Sequence, residues 1–199
     1  MLDVTQIESL DSDNMLGHIV SLPTQITQAW NHGMELPLPD VSNISNIVIL
    51  GMGGSAIGGS LLKTLIGPEC KVPILSNRDY KIPYFVGPNS LVIALSYSGN
   101  TEETLTALES AQKQNAQVVS ISTGGQISTL TQENNGLSWV YDYKSQPRAA
   151  LGYSLILPLV LLHRIGLARD FSADIAETQN ILTDQNSQLG AQSSLATNP

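Results

Sequence analysis

The sequence is poor in charged residues, and poorest in positive ones. Only 13% of its 199 residues are charged, and nine Lys and Arg stand against 17 Asp and Glu, so the formal net charge is −8. A nucleic-acid-binding surface needs clustered positive charge to neutralise phosphates, and this composition therefore argues against a nucleic-acid partner. A small phosphorylated ligand stays possible, because backbone N–H groups can hold an anion without a basic side chain.

Cysteine and long apolar runs are also scarce. Cys70 is the single cysteine, which excludes an internal disulfide and a cysteine zinc cluster and predicts a reducing, cytoplasmic compartment. The longest apolar stretch, residues 155–162, is interrupted by Pro158 and is too short to cross a bilayer. The acidic N-terminus lacks the pattern of a signal peptide. We therefore expect no membrane partner.

Short apolar runs alternate with helical patterns through most of the chain. This alternation predicts right-handed βαβ crossovers and a parallel sheet whose two faces are both covered. The strands are predicted at residues 47–50, 72–75, 91–95, 117–122 and 139–141, with the second at an edge because of its proline. Helices are predicted at residues 58–66, 101–115, 151–166 and 172–189.

The two ends of the chain have a different pattern. Residues 3–32 are predicted to be helical, with Ile19, Leu22, Ile26 and Trp30 on one apolar face. A segment rich in Pro, Ser and Asn then follows and is interpreted as a linker. We divide the chain into N-terminal helices that pack on the domain (1–34), the α/β domain itself (35–189), and a polar tail or interdomain linker (190–199).

A glycine-rich turn follows the first predicted strand. Gly51, Gly53 and Ala56 fit the G-x-G-x-x-A form of the dinucleotide fingerprint, but Asp79 comes too late to serve as its ribose-binding acid. The nicotinamide interpretation therefore has only this turn in its favour. The same turn brings Ser55 to the carboxyl edge of the sheet, where open parallel sheets bind ligands.

A second turn, residues 96–101 with the sequence SYSGNT, carries more chemistry. Ser96, Ser98 and Thr101 place three hydroxyls within one turn, and Gly99 lets the backbone approach a ligand closely. The free N–H groups of the following helix add a partial positive charge. Together these features predict a cradle for a phosphate monoester. The structural alternative is an ordinary helix cap by Asn100, and no lysine follows to complete a nucleotide P-loop.

The two turns, GMGGSAIGGS and SYSGNTEET, resemble the sugar isomerase (SIS) domain. The doubled Gly-Gly-Ser of the first, together with the PRAALGY segment at residues 147–153, is similar to one branch of that family, the bifunctional phosphoglucose/phosphomannose isomerases. The resemblance covers nearly the whole chain. It implies a three-layer sandwich with a five-stranded parallel sheet and helices on both faces.

The resemblance also implies a function and a set of site residues. A hexose 6-phosphate would be held by Ser55, Ser96, Ser98 and Thr101, with backbone help from Gly54. The reaction would interconvert glucose 6-phosphate or mannose 6-phosphate with fructose 6-phosphate, with no metal or cofactor. Arg148 would stabilise the negative charge of the enediolate intermediate, a role that suits a permanently charged guanidinium.

The sequence departs from that family in one respect. Such enzymes carry two SIS domains, with the catalytic base and the ring-opening histidine in or near the second, whereas this chain ends at Pro199. We therefore expect this chain to lack the base and to need a second SIS domain or a homodimer partner. For a homodimer we expect the contact on the helix near residues 151–162 or on the N-terminal pair of helices. The alternative function is a non-catalytic sugar-phosphate sensor.

Three histidines are interpreted as structural or solvent-exposed rather than catalytic, and one tyrosine as structural. His18 and His32 lie in the N-terminal helical region, and His163 lies on an apolar helix. Tyr97 is interpreted as a packing residue with an exposed hydroxyl.

Overall fold

A computed structural model describes residues 9–190 and residue 193, and its centre is a five-stranded parallel sheet. The strand order is β2-β1-β3-β4-β5. The strands are β1 (Asn46–Leu50), β2 (Ile74–Asn77), β3 (Ser90–Ser96), β4 (Gln117–Ser122) and β5 (Leu137–Val140). All four neighbouring pairs are parallel. The predicted edge position of the proline-flanked strand is confirmed, since β2 has only β1 as a neighbour.

Helices cover both faces of this sheet. They are α1 (Met15–Val20), α2 (Leu22–Glu35), α3 (Gly53–Ile66), α4 (Glu102–Lys113), α5 (Gln126–Glu133), α6 (Leu151–Arg164) and α7 (Ser172–Leu189), with a short 3-10 turn at Pro147–Ala149. In the described part of the chain no helix is both long and apolar enough to span a membrane.

Alternating residues of the central strands divide the core into two halves. Ile47 and Ile49 belong to the half that contains α2 and α6, whereas Val48 and Leu50 belong to the half beneath α4. Successive side chains of a strand point to opposite faces, so a strand buried on both sides must be apolar at every position. The predicted three-layer α/β sandwich is therefore confirmed.

Helix α6 is the most deeply buried helix, and its sequence explains why. Its main neighbours are α2 and α3, and every residue from Ile156 to Leu162 is buried, including Pro158. A helix that is apolar all round is stable only when it is enclosed. The apolar run noticed in the sequence is thus the interior helix of the domain.

The N-terminal helices differ from the single apolar face that was predicted. Ile26 and Trp30 are buried as expected, but Ile19 is 59% exposed. The physical reason is a break at Ser21, which separates α1 from α2 so that the helical spacing does not continue across it. The part of this prediction that falls on residues 3–8 lies outside the described residues.

The predicted linker is bound to the domain. Trp139 donates its ring N–H to the carbonyl of Pro37 at 2.8 Å, and Arg164 donates to the carbonyl of Leu36. Val41 and Ile44 also pack against the core. Its prolines prevent regular structure, but the side chains around it hold it in place. The three-part division of the chain remains a prediction.

One helix was missed, and several elements begin elsewhere than predicted. The largest differences are at the starts of α3 and β2, and β5 begins at Leu137 rather than residue 139. Helix α5 was not predicted because its sequence, QISTLTQE, is mostly polar and buries only Ile127 and Thr131. Helix α3 begins five residues early, at Gly53, because its first turn consists of glycines and a serine that carry no apolar pattern. Strand β2 begins at Ile74 rather than residue 72.

Candidate phosphate site at the carboxyl edge of the sheet

The two sequence turns meet because β1 and β3 are parallel neighbours. Leu50 pairs with Ala94 in the sheet, so the residues that follow each strand leave the same edge. Gly51 fits closely here, since a Cβ atom at this position would lie 3.1 Å from the carbonyl oxygen of Leu95. The sheet therefore brings the GMGGS turn beside the SYSGNT turn, as the sequence predicted.

Ser55 links the two turns directly. It lies in the first turn of α3, is 6% exposed, and its hydroxyl oxygen accepts a hydrogen bond of 3.2 Å from the backbone N–H of Tyr97. Because the oxygen is the acceptor in this bond, the hydroxyl proton remains available to a ligand.

Ser96 and Thr101 form a hydroxyl pair across the second turn. Their oxygens lie 3.0 Å apart, and Ser96 is almost fully buried. Only one of the two protons is needed for that bond, so the pair retains one donor for a ligand. Thr101 occupies the N-cap position of α4, yet within the described chain no side chain accepts a hydrogen bond from the start of that helix. Its first N–H groups are therefore unsatisfied and can bind an anion.

Ser98 and Asn100 shape the exposed tip of the turn. The hydroxyl oxygen of Ser98 accepts a bond from the N–H of Asn100 at 3.2 Å. The side-chain oxygen of Asn100 accepts from the N–H of Gln126 at 3.0 Å. Asn100 therefore satisfies the first residue of α5, and the alternative in which it caps α4 is wrong.

Gly99 is required by the geometry of this tip. Its φ is +69°, and a Cβ atom would lie 1.8 Å from the carbonyl oxygen of Gly124. Its own carbonyl accepts a 2.9 Å bond from the N–H of Ile127. The missed helix α5 is thus part of the support of the turn, a role that no feature of its sequence indicated.

Gly54 and Arg148 are brought together by the fold, although they are far apart in sequence. A Cβ atom at Gly54 would lie 2.8 Å from the carbonyl oxygen of Pro147 and 2.9 Å from the backbone nitrogen of Arg148. Glycine therefore allows the PRAALGY segment to lie against the GMGGS turn. Arg148 is exposed, and over the described ranges its guanidinium has neither a hydrogen bond nor an ion pair, so its charge is free for a ligand.

Two carboxylates lie near this cradle, at the start of α4. Glu102 is exposed and Glu103 is partly buried. Partial desolvation raises the pKa of Tyr80, and the carboxylates of Glu102 and Glu103 raise it further. The negative charge of these two carboxylates therefore acts on Tyr80, which lies in the loop after β2.

The histidines occupy structural positions. His18 is hydrogen-bonded through Nδ1 to the Tyr143 hydroxyl at 2.8 Å, and His32 contacts the carbonyl of Val140 at 3.1 Å. His163 stacks on Trp30 with ring centroids 5.7 Å apart. None of these contacts reaches the residues of the cradle.

Tyr97 was misjudged from the sequence. Its hydroxyl is not exposed but donates to the carbonyl of Tyr143 and accepts from the N–H of Ser145, both at 2.7 Å. These partners lie 46 and 48 residues further along the chain. No sequence signal could have identified them.

The architecture and these turns define a class, an α/β domain with a candidate anion site at the carboxyl edge of its parallel sheet. Similarity to known proteins defines the family. The family model of the SIS domain matches residues 41–164. This chain therefore belongs to the SIS domain family.

Curated relatives indicate which branch of the SIS family this chain resembles. The chain is 40% identical over 171 residues to the bifunctional phosphoglucose/phosphomannose isomerase of Caldicellulosiruptor bescii, covering 85% of this chain and 50% of that protein. It is 39% identical over 157 residues to the protein of the same name from Thermoplasma acidophilum, covering 77% and 46%. The chain thus spans about half the length of these curated relatives.

Solved structures share the fold. The C-terminal domain of glucosamine-fructose-6-phosphate aminotransferase from Francisella tularensis superposes with a TM-score of 0.61 at 18% identity, covering 88% of this chain and 54% of that one. At this level of identity the similarity concerns the fold alone.

Proposed function

We propose that this chain is the phosphosugar-binding half of an aldose–ketose isomerase, which interconverts glucose 6-phosphate or mannose 6-phosphate with fructose 6-phosphate. One observation carries the proposal. The Ser96–Thr101 hydroxyl pair lies at the uncapped start of α4, beside the free hydroxyl proton of Ser55. Donors that converge at a helix N-terminus suit a dianionic phosphate ester. The isomerase relatives support the same substrate class.

In this proposal the phosphate is bound by Ser55, Ser96, Ser98 and Thr101, together with the first N–H groups of α4. Gly54 has no side chain, so the GMGGS turn can lie directly against the segment that carries Arg148. The hexose then extends from the cradle towards the exposed, unpaired guanidinium of Arg148.

Arg148 acts on the charge that the reaction creates. Isomerisation moves a proton between the two carbons that exchange the carbonyl group, and the intermediate is an enediolate with a negatively charged oxygen. A fixed guanidinium stabilises this oxygen more in the transition state than in the neutral sugar, which is the condition for catalysis.

The general base and the ring-opening group come from outside the described residues. Glu102 and Glu103 directly follow Thr101 at the start of α4. They therefore lie at the phosphate end, whereas the proton moves at the other end of the hexose. We propose that a second SIS domain or a second copy of this chain supplies the base, which is consistent with the half-length match to the relatives.

An apolar stripe on α3 is the proposed surface for that partner. Ile57, Leu61 and Leu65 recur every four residues and are 49%, 42% and 47% exposed. From sequence, the contact was expected on residues 151–162 or on the N-terminal pair of helices. The first of these surfaces is less suitable, because the side chains from Ile156 to Leu162 are buried within the chain itself.

The sensor alternative is disfavoured because the curated relatives above are isomerases. The nicotinamide alternative is disfavoured because the chain belongs to the SIS family. The proposal includes a cytoplasmic location, which the free thiol of Cys70 supports.

The binding proposal is tested by Ser96→Ala combined with Ser98→Ala. Each lost hydrogen bond to a charged group costs about 1.5–3 kcal/mol, so fructose 6-phosphate should bind at least about tenfold more weakly in calorimetry. The matched control is Ser110→Ala with Ser187→Ala, since each of those hydroxyls bonds a carbonyl of its own helix. Unchanged affinity in the folded Ser96/Ser98 variant would refute the phosphate cradle.

A further inference from the structure

The Tyr97 hydroxyl joins the phosphate turn to the segment that leads to Arg148. It donates to the carbonyl of Tyr143 and accepts from the N–H of Ser145, each at 2.7 Å. These two bonds use both the proton and an acceptor site of the phenol. They hold the chain just after β5, three residues before Arg148, where it has no helix or strand of its own.

The backbone of Tyr97 is itself fixed by two other turns. Its N–H donates to Ser55 at 3.2 Å, and its carbonyl accepts from Thr123, from the N–H at 3.0 Å and from the hydroxyl at 2.7 Å. Tyr97 therefore contacts the turns that follow β1, β4 and β5, while lying in the turn that follows β3. Because the backbone of Tyr97 is fixed in this way, its hydroxyl group has a defined position and can hold the segment bonded to it in place.

Tyr143 is also held through its own hydroxyl by His18, Ser21 and Gln25. Among the described residues, the backbone that follows it, residues 144–149, has few other restraints. Gly54 limits it from one side, through the close approach to Pro147 and Arg148. Ala149 N–H bonds the carbonyl of Gln146 at 2.9 Å, which shapes the 3-10 turn but does not attach it to the sheet. The Tyr97 hydroxyl provides the attachment on the other side.

We infer that the Tyr97 hydroxyl is a positioning group for Arg148, setting where the guanidinium meets the charged oxygen of the intermediate. The inference rests on the proposed function. Tyr97→Phe keeps the ring and all the backbone bonds of residue 97, and removes only the two bonds to the Arg148 segment. A guanidinium that is free to shift stabilises a localised charge less well, because electrostatic stabilisation depends on preorganised geometry.

Two ligands separate positioning from general structure. Arabinonate 5-phosphate carries a carboxylate that mimics the charge of the enediolate, whereas glucitol 6-phosphate carries the same phosphate and no such charge. For Tyr97→Phe we expect about tenfold weaker binding of arabinonate 5-phosphate in calorimetry, the scale set by the loss of one to two hydrogen bonds. Binding of glucitol 6-phosphate should change less than about twofold, since the phosphate cradle is intact.

A double-mutant cycle shows whether the effect passes through Arg148. In an Arg148→Ala background, Tyr97→Phe should cause no further loss of arabinonate 5-phosphate affinity, because the group that it positions is gone. Tyr84→Phe is the matched control, since Tyr84 is fully exposed. It should leave both affinities unchanged.

The possible failures are distinguishable. If the original chain binds neither ligand, or if Arg148→Ala leaves the preference for arabinonate 5-phosphate intact, the proposed function fails and the inference fails with it. If Arg148→Ala removes the preference but Tyr97→Phe preserves it, the proposed function stands and the inference is overturned. Equal losses for both ligands, or a further loss in the Arg148→Ala background, would also overturn it by indicating a purely structural role.

Discussion

At the scale of the residue, the site depends on backbone geometry as much as on side chains. The Ser96 and Thr101 hydroxyls lie 3.0 Å apart in a turn where Gly99 adopts φ +69° and packs against the backbone of Gly124. A residue with a Cβ atom cannot adopt this conformation without strain, and here it would also meet a carbonyl oxygen. The conformation of this turn, and with it the proposed cradle, therefore depends on a single glycine.

Gly99→Ala should damage both stability and binding. The left-handed conformation alone costs about 1–3 kcal/mol for a non-glycine residue, and the 1.8 Å approach to Gly124 forces the turn to move. Urea unfolding should show the lost stability, and calorimetry should show weaker fructose 6-phosphate binding. Gly87→Ala is the control, because a Cβ atom there would meet nothing within 4 Å. Equal stability of the two variants would contradict this account of the turn.

At the scale of the element, the start of α7 shows how one side chain can order a helix. Asp170 accepts hydrogen bonds from the hydroxyl and the N–H of Ser172, the latter at 2.8 Å. These bonds hold the pKa of Asp170 below its ordinary value of 3.8, with smaller contributions from His163 and Arg169. The charged form of this carboxylate is therefore favoured in the folded state, as expected at a helix N-terminus.

The sign of this shift predicts a pH dependence. A carboxyl group whose pKa is lower in the folded chain stabilises the fold above its unfolded pKa and loses that effect as the pH falls through the folded value. Asp170→Asn should therefore reduce the free energy of unfolding at pH 7, and the difference from the original chain should shrink below about pH 3.8. Urea titrations at pH 7 and below about pH 3.8 measure this difference in the free energy of unfolding. Asp184→Asn, in the exposed part of the same helix, is the control, and a difference that does not change with pH would argue against the charged cap.

At the scale of the whole molecule, the proposed active site is incomplete in this chain. The chain has the proposed phosphate cradle, an unpaired arginine and an exposed apolar stripe on α3, and it spans about half the length of its curated relatives. These three features are consistent with one half of a two-part site. The stripe would let the two halves meet, and the arginine would then face the base from the other half.

This arrangement predicts binding without turnover. Residues 1–199 alone should bind fructose 6-phosphate but convert it to glucose 6-phosphate at a negligible rate in a coupled dehydrogenase assay, since loss of a general base costs about 10²- to 10⁴-fold. A chimera in which residues 1–199 replace the matched half of the Caldicellulosiruptor bescii relative should regain turnover. Leu61→Glu should abolish that recovery without changing affinity for the sugar phosphate. Rapid turnover by residues 1–199 alone would show that this chain contains its own base.

Much of this protein follows from the sequence by itself. Strands β1 and β3 are near-continuous apolar runs, and a strand buried on both faces is expected to have that composition. The two Ser- and Gly-rich turns follow such strands directly, so their common position at the carboxyl edge could be predicted from the rule that parallel strands end together. The apolar character of α6 likewise indicated a buried helix.

Only the tertiary structure decided the remainder, because it depends on contacts between distant segments. Helix α5 carries little apolar pattern, and its position against Gly99 follows from packing rather than local preference. The bond between Tyr97 and Ser145 spans 48 residues, and the approach of Gly54 to Arg148 joins residues about twice as far apart in the sequence. A local pattern determines which element forms, but the partner of a hydroxyl group or the neighbour of a glycine is determined by how those elements pack, which short-range periodicity does not encode.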